Sequence, residues 1–571
     1  MKLNQKLAFL IEIFFNGSFI ILYSLTWLNK VTFEIYARFI EQFLTYSTYI
    51  VPFVVLFSIL VNFIESHSWD EFFRKYVFSI VVIVPMLITF DREFVFWLAS
   101  AHLLSSVLSL YELGNDQLIK DNSKKNGFKF SLTPAQWVLV SFSGVILIGA
   151  LILILPMSSQ TGKSISFVDA LFMSASATCV TGLATKSIAT DFSTLGQIVI
   201  LVLIQIGGLS IMTLYASMTV LLGQSLGMKN RLLMLDLLNV SSLEELFEMI
   251  IDIVRYTFFI ELWGGVILTI GFNLSGLEFG KSLYYGFYHS ISAFCNAGFS
   301  LFNDSLEQYA TNPIINFTIM ALIIMGGIGF IVIKELNFML KTKFSWHRLS
   351  FHSKIVIITS GVLITGGALF IFFVEFLHGI DQYTLWEKIQ ISLFQSVTLR
   401  TAGFNSISLN SLFPFTVYVM TLFMFIGGSP GSTAGGIKTT TLAILVQTII
   451  TTVKGESNVK MLNRRIPQEL VIRTIALTFI SILFACTLIP VLMAVEPNQE
   501  FLPLLFESIS ALGTVGLSLG ITPYLTVGGK LVITLLMFLG RIGPLTLVLA
   551  IGEQKDQMGK IDYPNGRIMI G

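Results

Sequence analysis

The octet TCVTGLAT at residues 178–185 recurs in related form three more times along the chain. The other copies read FCNAGFSL at 294–301, LRTAGFNS at 399–406 and LGTVGLSL at 512–519. In every copy the fifth residue is glycine, and Leu or Phe follows it. These glycines, at positions 182, 298, 403 and 516, are 105 to 116 residues apart. Near-even spacing of one pattern indicates four internal repeats.

Each octet follows a short run rich in aromatic residues, Ser and Ala, and long apolar stretches lie on both sides. The short runs are at residues 169–177, 282–293, 386–398 and 501–511. A helix needs about 20 residues to cross a bilayer, so these runs are suited to re-entrant half-helices. The pattern predicts an all-α integral membrane fold with four pseudo-symmetric units around one pore. Each unit consists of a transmembrane helix, a pore helix, a filter loop and a second transmembrane helix.

The composition of the 571 residues also favours a membrane protein. Charged residues make up 12% of the chain, whereas soluble domains carry about 25%. Apolar stretches at 137–155, 197–222, 317–333 and 531–551 are candidate spans. The three cysteines lack metal or disulfide spacing, and no nucleophile or paired-carboxylate arrangement is present. We therefore expect neither an enzyme, nor a bound cofactor, nor a nucleic-acid partner.

Charge placement predicts the orientation in the membrane. The connections between units are rich in basic residues, namely Lys229, Arg231, Lys341, Lys343, Arg348, Lys354, Lys454, Lys460, Arg464 and Arg465. The positive-inside rule places these connections in the cytoplasm and the octet mouths outside. The prediction is a multi-pass protein of the inner (cytoplasmic) membrane, in contact with its lipids.

The repeat defines the predicted domains. The pore units are 131–225, 245–340, 350–452 and 466–552, and a cytoplasmic tail follows at 553–571. Residues 1–130 do not fit the repeat and form an N-terminal extension. Apolar stretches at 8–27, 46–64, 76–90 and 93–111 predict four transmembrane helices there, with two or three as the alternatives.

The octets are candidates for an ion filter. Non-helical backbone at membrane depth is tolerated where it lines water, and filters use rings of carbonyl oxygens in place of the hydration shell of the ion. Glycine turns its carbonyl inward without a penalty from Cβ. The alternative is that the glycines only allow tight turns. The predicted K⁺ filter residues are Cys179, Val180, Thr181, Gly182, Cys295, Asn296, Ala297, Gly298, Thr401, Ala402, Gly403, Gly513, Thr514, Val515 and Gly516.

An interrupted span in the third unit is a candidate gate. Its residues are Gly427, Gly428, Ser429, Pro430, Gly431, Ser432, Thr433, Ala434, Gly435 and Gly436. Five glycines and a proline within ten residues cannot hold a regular helix. A kink for packing is the alternative. Residues 431–439 also resemble a phosphate-binding loop, but the lysine comes one residue late and no strand is predicted before it.

Two arginines complete the candidate site. Arg541 lies within an apolar span, where a charge is expected to face an aqueous cavity, and we assign it to the gate below the filter. Its alternative is a position at the membrane interface, reached by snorkelling past a helix end near Gly540. Arg400 precedes the third filter loop and is expected to brace that loop from behind by pairing with a carboxylate such as Glu507.

These motifs resemble the Trk/Ktr/HKT superfamily of K⁺ transporters, most closely its bacterial Ktr/Trk pore-forming subunits. The resemblance covers about residues 132–571. It depends on the four glycines, on RTAGFN at 400–405, on GGSPGSTAGGIKT at 427–439 and on GRIGPLT at 540–546. A tail motif, YPNG at 563–566, is a weaker marker.

The resemblance implies K⁺ uptake through a selective pore, homodimers, an intramembrane gate and a cytosolic nucleotide-binding regulatory ring. K⁺ is then the transported ion, held at the filter only. A serine in place of the first filter glycine accompanies Na⁺ selectivity in plant relatives, so Gly182 favours K⁺. The alternatives are a Na⁺-conducting member and a cation-coupled secondary transporter. The extension at 1–130 departs from the family pattern, which leaves partner and dimer geometry open.

Overall fold

The computed structural model describes residues 15–20, 23, 34–65, 95–96, 98–100, 102, 134–209, 243–342 and 345–543. The described part is mostly helical. Its strands are β1 (Lys460–Met461) and β2 (Arg464–Arg465), which pair antiparallel. The chain divides into two compact units, Met1–Phe130 and Ser131–Gly571.

In the first unit, helix α1 (Glu34–Glu65) contains the predicted span at 46–64. Phe19, Val51, Val55 and Phe96 belong to one buried apolar cluster in this unit. The other three predicted N-terminal helices lie wholly or largely outside the described residues. The cytoplasmic tail at 553–571 lies outside them as well, and so do Lys229, Arg231 and Lys343.

The second compact unit, Ser131–Gly571, repeats one order of helices. In chain order these are α2 (Pro134–Ile154), α3 (Phe167–Thr178), α4 (Thr194–Gly208), α5 (Leu243–Leu274), α6 (Phe279–Phe294), α7 (Pro313–Ile328), α8 (Phe330–Lys341), α9 (Phe351–Glu375), α10 (Leu385–Thr398), α11 (Pro414–Met424), α12 (Thr439–Val453), α13 (Gln468–Val495), α14 (Phe501–Gly513) and α15 (Val527–Ile542). Helices of 12 to 16 residues, namely α3, α6, α10 and α14, occupy the positions of the four short runs.

Side chains at their N-termini start several of these helices. Ser166 caps α3 by accepting a hydrogen bond from Asp169 N, and Thr384 forms a capping box with Glu387 at the start of α10. Such caps satisfy amide groups that the first turn leaves unpaired. These two short helices therefore begin at residues that the local sequence dictates.

A serine in three of the short helices ties each one to the preceding long helix. The bonds, each 2.7 Å long, run from Ser174 Oγ to Ile146 O, from Ser290 Oγ to Glu261 O and from Ser396 Oγ to Ile364 O. A glycine one turn further along the long helix leaves room for each serine, at positions 149, 264 and 367. The three pairs share one packing register, as expected of repeated units.

The second unit of the repeat departs from the predicted continuous span at 317–333. Helices α7 and α8 meet at Gly329 with a bend of 108°. Gly329 has φ 97°, a conformation that glycine adopts readily. The continuous span is therefore wrong, and the chain breaks here as well as at residues 427–436.

Three described helical segments are long and apolar enough to cross a membrane, namely Ile251–Leu274, Phe351–Glu375 and Gln468–Val495. The bent pair α7 and α8 adds a fourth if it counts as one span. Apolar side chains on α5, α9 and α13 are broadly exposed, Phe259, Phe373 and Phe479 among them. Such surfaces suit a lipid environment.

Candidate functional site: the four glycine loops

The four octets lie next to one another in a closed ring. A methyl group added to the glycine of each loop would meet the carbonyl oxygen that precedes the glycine of the next loop. The contacts are Gly182 with Ala297 (2.5 Å), Gly298 with Ala402 (2.7 Å), Gly403 with Val515 (2.6 Å), and Gly516 with Thr181. Loops that are more than 100 residues apart in the chain thus share one centre.

All four loops have positive φ at the same two positions. The glycine has positive φ in each, with values of 98°, 69°, 78° and 91°. A second positive φ lies two residues earlier, at Val180, Asn296, Thr401 and Thr514. A non-glycine residue in this region costs about 1–2 kcal/mol, so the surrounding structure must enforce it four times.

The predicted filter residues are all in these loops, at the ends of the four short helices. Cys179 and Cys295 cap the ends of α3 and α6, and Gly513 is the last residue of α14. Gly182, Gly298 and Gly516 are partly exposed, whereas the other predicted filter residues are buried. Each short helix ends a few residues before the ring glycine of its loop, and the partial negative charge of a helix C-terminus favours a cation.

A cavity of about 310 Å³ adjoins the ring, and all four glycines line it. Residues that follow the glycines complete the lining, including Phe299, Asn405 and Ser518. Lys186 is the charged residue among them.

The helix that follows each loop is called the return helix. In three units a glycine near the end of the return helix lies against the C-terminal end of the short helix. Gly207 contacts Thr178 O, Gly326 contacts Phe294 O and Gly540 contacts Leu512 O. The corresponding glycine of the third unit is Gly427. The residue that follows this glycine is also glycine in the first three units, at positions 208, 327 and 428, and is arginine in the fourth, at 541. The repeat thus has one position where three small residues and one large cation correspond.

Arg541 is buried, with 8% of its surface exposed. Its Nη1 donates to Thr433 O in the loop at 427–436, and its Nη2 donates to Gly207 O at the end of α4. Its burial and these bonds within the protein argue against the interfacial alternative. The Arg541 side chain thus links the first, third and fourth units of the repeat.

The loop at 427–436 separates α11 from α12 and is not helical. It packs against the second unit of the repeat: Ser429 N donates to Gly327 O (2.9 Å) and Thr433 N to Gly326 O (3.1 Å). Thr433 Oγ1 donates to Phe294 O (3.1 Å), at the end of α6. Helix α11 precedes the loop, which excludes the phosphate-loop geometry.

Arg400 does not pair with Glu507, and that prediction is wrong. Within the described residues no carboxylate lies within 4.0 Å of its guanidinium. Glu507 instead accepts a hydrogen bond from Thr522 Oγ1. The third loop is one residue tighter than the others: Ala402 N bonds to Thr398 O, four residues back, where the other loops reach five residues back.

A buried carboxyl group behind the second loop was missed. Glu261, at 3% exposure in the middle of α5, accepts from Gln205 Nε2 (3.3 Å). Cys295 Sγ lies 3.8 Å from Glu261 Oε1 and 3.7 Å from Gln205 Oε1. A lone acid within an apolar span was the available signal.

An ion pair between the first and fourth units was also missed. Lys530, near the start of α15, bonds to Asp169 in the first turn of α3 at 2.7 Å. A lysine at the start of an apolar helix is a weak sign of a buried partner, and the sequence does not show that the partner is Asp169. Among the described residues, no three His, Cys, Asp or Glu side chains are grouped to hold a metal ion.

Comparison with known proteins places these loops in a family. The family described as "TrkH: Cation transport protein" matches residues 117–559. The chain is 38% identical over 443 residues to Ktr system potassium uptake protein B of Bacillus subtilis, covering 77% of this chain and 97% of that protein. It is 35% identical over 449 residues to potassium/sodium uptake protein NtpJ of Enterococcus hirae, covering 77% and 98%.

A solved structure shares the fold. The crystal structure of the potassium transporter TrkH from Vibrio parahaemolyticus superposes with a TM-score of 0.59 and covers 89% of this chain and 98% of its own. Sequence identity in this superposition is 17%, so the likeness concerns the fold alone.

Proposed function

This chain belongs to the TrkH family of cation transport proteins, and we propose that it takes up K⁺ through a pore formed by the four glycine loops. It is a multi-pass protein of the cytoplasmic membrane. Relatives at 38% and 34% identity, from Bacillus subtilis, are named as potassium uptake proteins of Ktr systems. Such kinship favours K⁺ as the transported ion, with no covalently bound cofactor.

The single observation that carries the proposal is the closed ring of glycines and carbonyl oxygens. Each glycine adjoins a carbonyl oxygen of the next loop, and each of the four short helices ends a few residues before the glycine of its loop. Carbonyl rings replace the hydration shell of a monovalent cation, and helix C-termini add negative potential. In this proposal the four units are 131–225, 245–340, 350–452 and 466–552.

A Na⁺-conducting pore is the second candidate. One relative at 35% identity is named a potassium/sodium uptake protein, so the same loop architecture accompanies both ions in the family. The family resemblance favours K⁺ in this chain, because a serine at the position of Gly182 accompanies Na⁺ selectivity in plant relatives.

The loop at 427–436 and Arg541 form the gate in this proposal. Ser429 and Thr433 hold the loop to the ends of α6 and α7, and Arg541 holds Thr433 from the opposite side. Opening then requires breaking a small number of hydrogen bonds at glycine-rich backbone, which can change conformation at little steric cost. The guanidinium charge would repel cations that wait below the filter.

We further propose that the chain assembles as a homodimer and that a cytosolic nucleotide-binding ring controls the gate. Support comes from the family resemblance and from relatives whose names describe Ktr systems. The basic connections between units, including β1 and β2, would face such a partner under the predicted orientation.

Growth rescue of a K⁺-uptake-deficient bacterium at low K⁺ tests the function, together with Rb⁺ and Na⁺ uptake. We expect rescue and Rb⁺ uptake by the wild type, and relaxed discrimination against Na⁺ in Gly182→Ser. Gly361→Ser is a matched control, because a Cβ atom there would have no neighbour within 4 Å. Na⁺ uptake without Rb⁺ uptake by the wild type would establish the second candidate. A well-expressed wild type that transports neither ion in the presence of its cytosolic regulator would contradict both.

A further inference from the structure

A lysine side chain lines the cavity that all four glycines share. Lys186 follows the first octet by one residue, and the cavity lining includes it as its charged member. No carboxylate of the described chain lies within 4.0 Å of its ammonium group. A cation that enters the ring from this cavity must therefore pass a fixed positive charge.

Two hydrogen bonds of the next residue, Ser187, hold the segment that carries Lys186. Ser187 Oγ donates to Asn303 Oδ1 of the second unit of the repeat (2.6 Å), and Ser187 N donates to Asp191 Oδ2 (2.9 Å). Asp191 is thereby engaged with the backbone and does not pair with Lys186. The lysine is thus held at the entrance rather than carried on a free loop.

A fixed charge acts on passing ions according to their valence. A unit charge about 8 Å away in water lowers the local concentration of a monovalent cation about two- to threefold. The electrostatic energy of a divalent cation at the same distance is twice as large. Its local concentration therefore falls by the square of that factor, about four- to tenfold. The entrance therefore disfavours Mg²⁺ and Ca²⁺ more strongly than K⁺.

We propose that Lys186 is a specificity-determining residue that protects the filter from divalent cations at its outer entrance. Four converging carbonyl-lined loops with helix C-termini behind them attract divalent ions even more than monovalent ones, and such an ion would block the pore. Lys186 opposes that preference at a modest cost in K⁺ affinity. The inference rests on the proposed function and adds the class of ion that is excluded.

The test measures Rb⁺ uptake by the full chain, with its regulator, in K⁺-uptake-deficient cells at low ionic strength and increasing external Mg²⁺. In Lys186→Gln we expect the Mg²⁺ concentration for half-inhibition to fall about four- to tenfold, and the KM for Rb⁺ to fall about two- to threefold. Both shifts should shrink at higher salt, because ions screen the charge over about 10 Å at 0.1 M.

Matched variants separate charge from structure. Lys186→Arg keeps the charge and should behave as wild type. Lys163→Gln removes an exposed lysine that does not line the cavity and should leave Mg²⁺ inhibition unchanged. Lys186→Met repeats the neutral change if Lys186→Gln is poorly expressed.

Unchanged Mg²⁺ inhibition in a transporting Lys186→Gln or Lys186→Met variant would overturn the inference and leave the proposed function intact. An equal shift in Lys163→Gln would overturn it as well, because a general surface charge would then explain the effect. A wild type without Rb⁺ uptake would instead overturn the proposed function.

Discussion

Lys530 Nζ lies 2.7 Å from Asp169 Oδ1, joining two residues that are 361 positions apart. The ion pair connects the first short helix with the last return helix, so it links the first unit of the repeat to the fourth. Both side chains are largely buried, at 15% and 11% exposure. Ser166 Oγ donates to the other carboxylate oxygen of Asp169 (2.8 Å) and fixes its orientation.

Breaking this ion pair should destabilise the protein. We expect Lys530→Met to cost about 3–5 kcal/mol, because the Asp169 carboxylate would remain buried without its counter-charge. The midpoint of thermal unfolding in detergent measures the effect. Lys334→Met is the control, since its pair with Asp252 is more exposed and worth at most about 1 kcal/mol. Equal midpoints for the two variants would contradict the prediction.

Gly403→Ala should impair the proposed filter more than the same change elsewhere. Gly403 has φ 78°, and a methyl group there would lie 2.6 Å from Val515 O. The conformation alone costs alanine about 1–2 kcal/mol. We expect loss of Rb⁺ uptake or of discrimination against Na⁺, measured as the ratio of initial rates. Gly361→Ala and Gly366→Ala, which have open space around them, should retain wild-type uptake. Normal uptake and selectivity in Gly403→Ala would argue against the filter.

Removing the charge of Arg541 should release the proposed gate. Its bonds to Thr433 O and Gly207 O are lost in Arg541→Gln, which is shorter and neutral. We expect uptake in the absence of the regulator to rise toward the level of the stimulated wild type. Arg541→Lys keeps the charge with fewer donors and should be intermediate. Uptake that stays fully dependent on the regulator in Arg541→Gln would refute this role.

Glu261 should act through hydrogen bonds to Gln205 and Cys295 rather than through a net charge. Glu261→Gln retains a donor and an acceptor, and we expect near-normal selectivity. Glu261→Ala removes the hydrogen-bond partner of Gln205, and an unpaired buried amide costs about 1–3 kcal/mol in stability. Because Cys295 of the second filter loop also contacts Glu261, the Rb⁺ to Na⁺ uptake ratio should change. Leu262→Ala, at an outward-facing neighbour that is 52% exposed, is the control. Identical behaviour of the Gln and Ala variants would exclude this mechanism.

Sequence pattern predicted what local chemistry controls. The octet glycines, the short helices before them and the break at 427–436 follow from residue types that permit few backbone conformations. The bend at Gly329 also had a signal, since GGIG at 326–329 corresponds to GRIG at 540–543. It was missed because apolar residues on both sides resemble a continuous span.

Side-chain partners were less accessible. Arg400 was assigned to Glu507 from its position in the repeat, but Glu507 accepts a hydrogen bond from Thr522 instead, a contact that no local pattern indicates. Lys530 and Asp169 meet because the fourth unit of the repeat lies next to the first. No periodic pattern in the sequence indicates such a contact. The second left-handed residue of each loop, such as Asn296 or Val180, carries no common residue type, so packing alone determines it.

The single arginine among the four corresponding positions has a consequence for how such a pore can be built. A ring of four identical subunits carries zero or four copies of any residue, and four guanidinium groups in one narrow passage would repel one another strongly. Joining the four units in one polypeptide allows a stoichiometry of one, with glycine at the corresponding positions 208, 327 and 428. Lys186 and Glu261 are likewise present once per ring. Covalent fusion thus turns a symmetric architecture into one whose units can specialise separately.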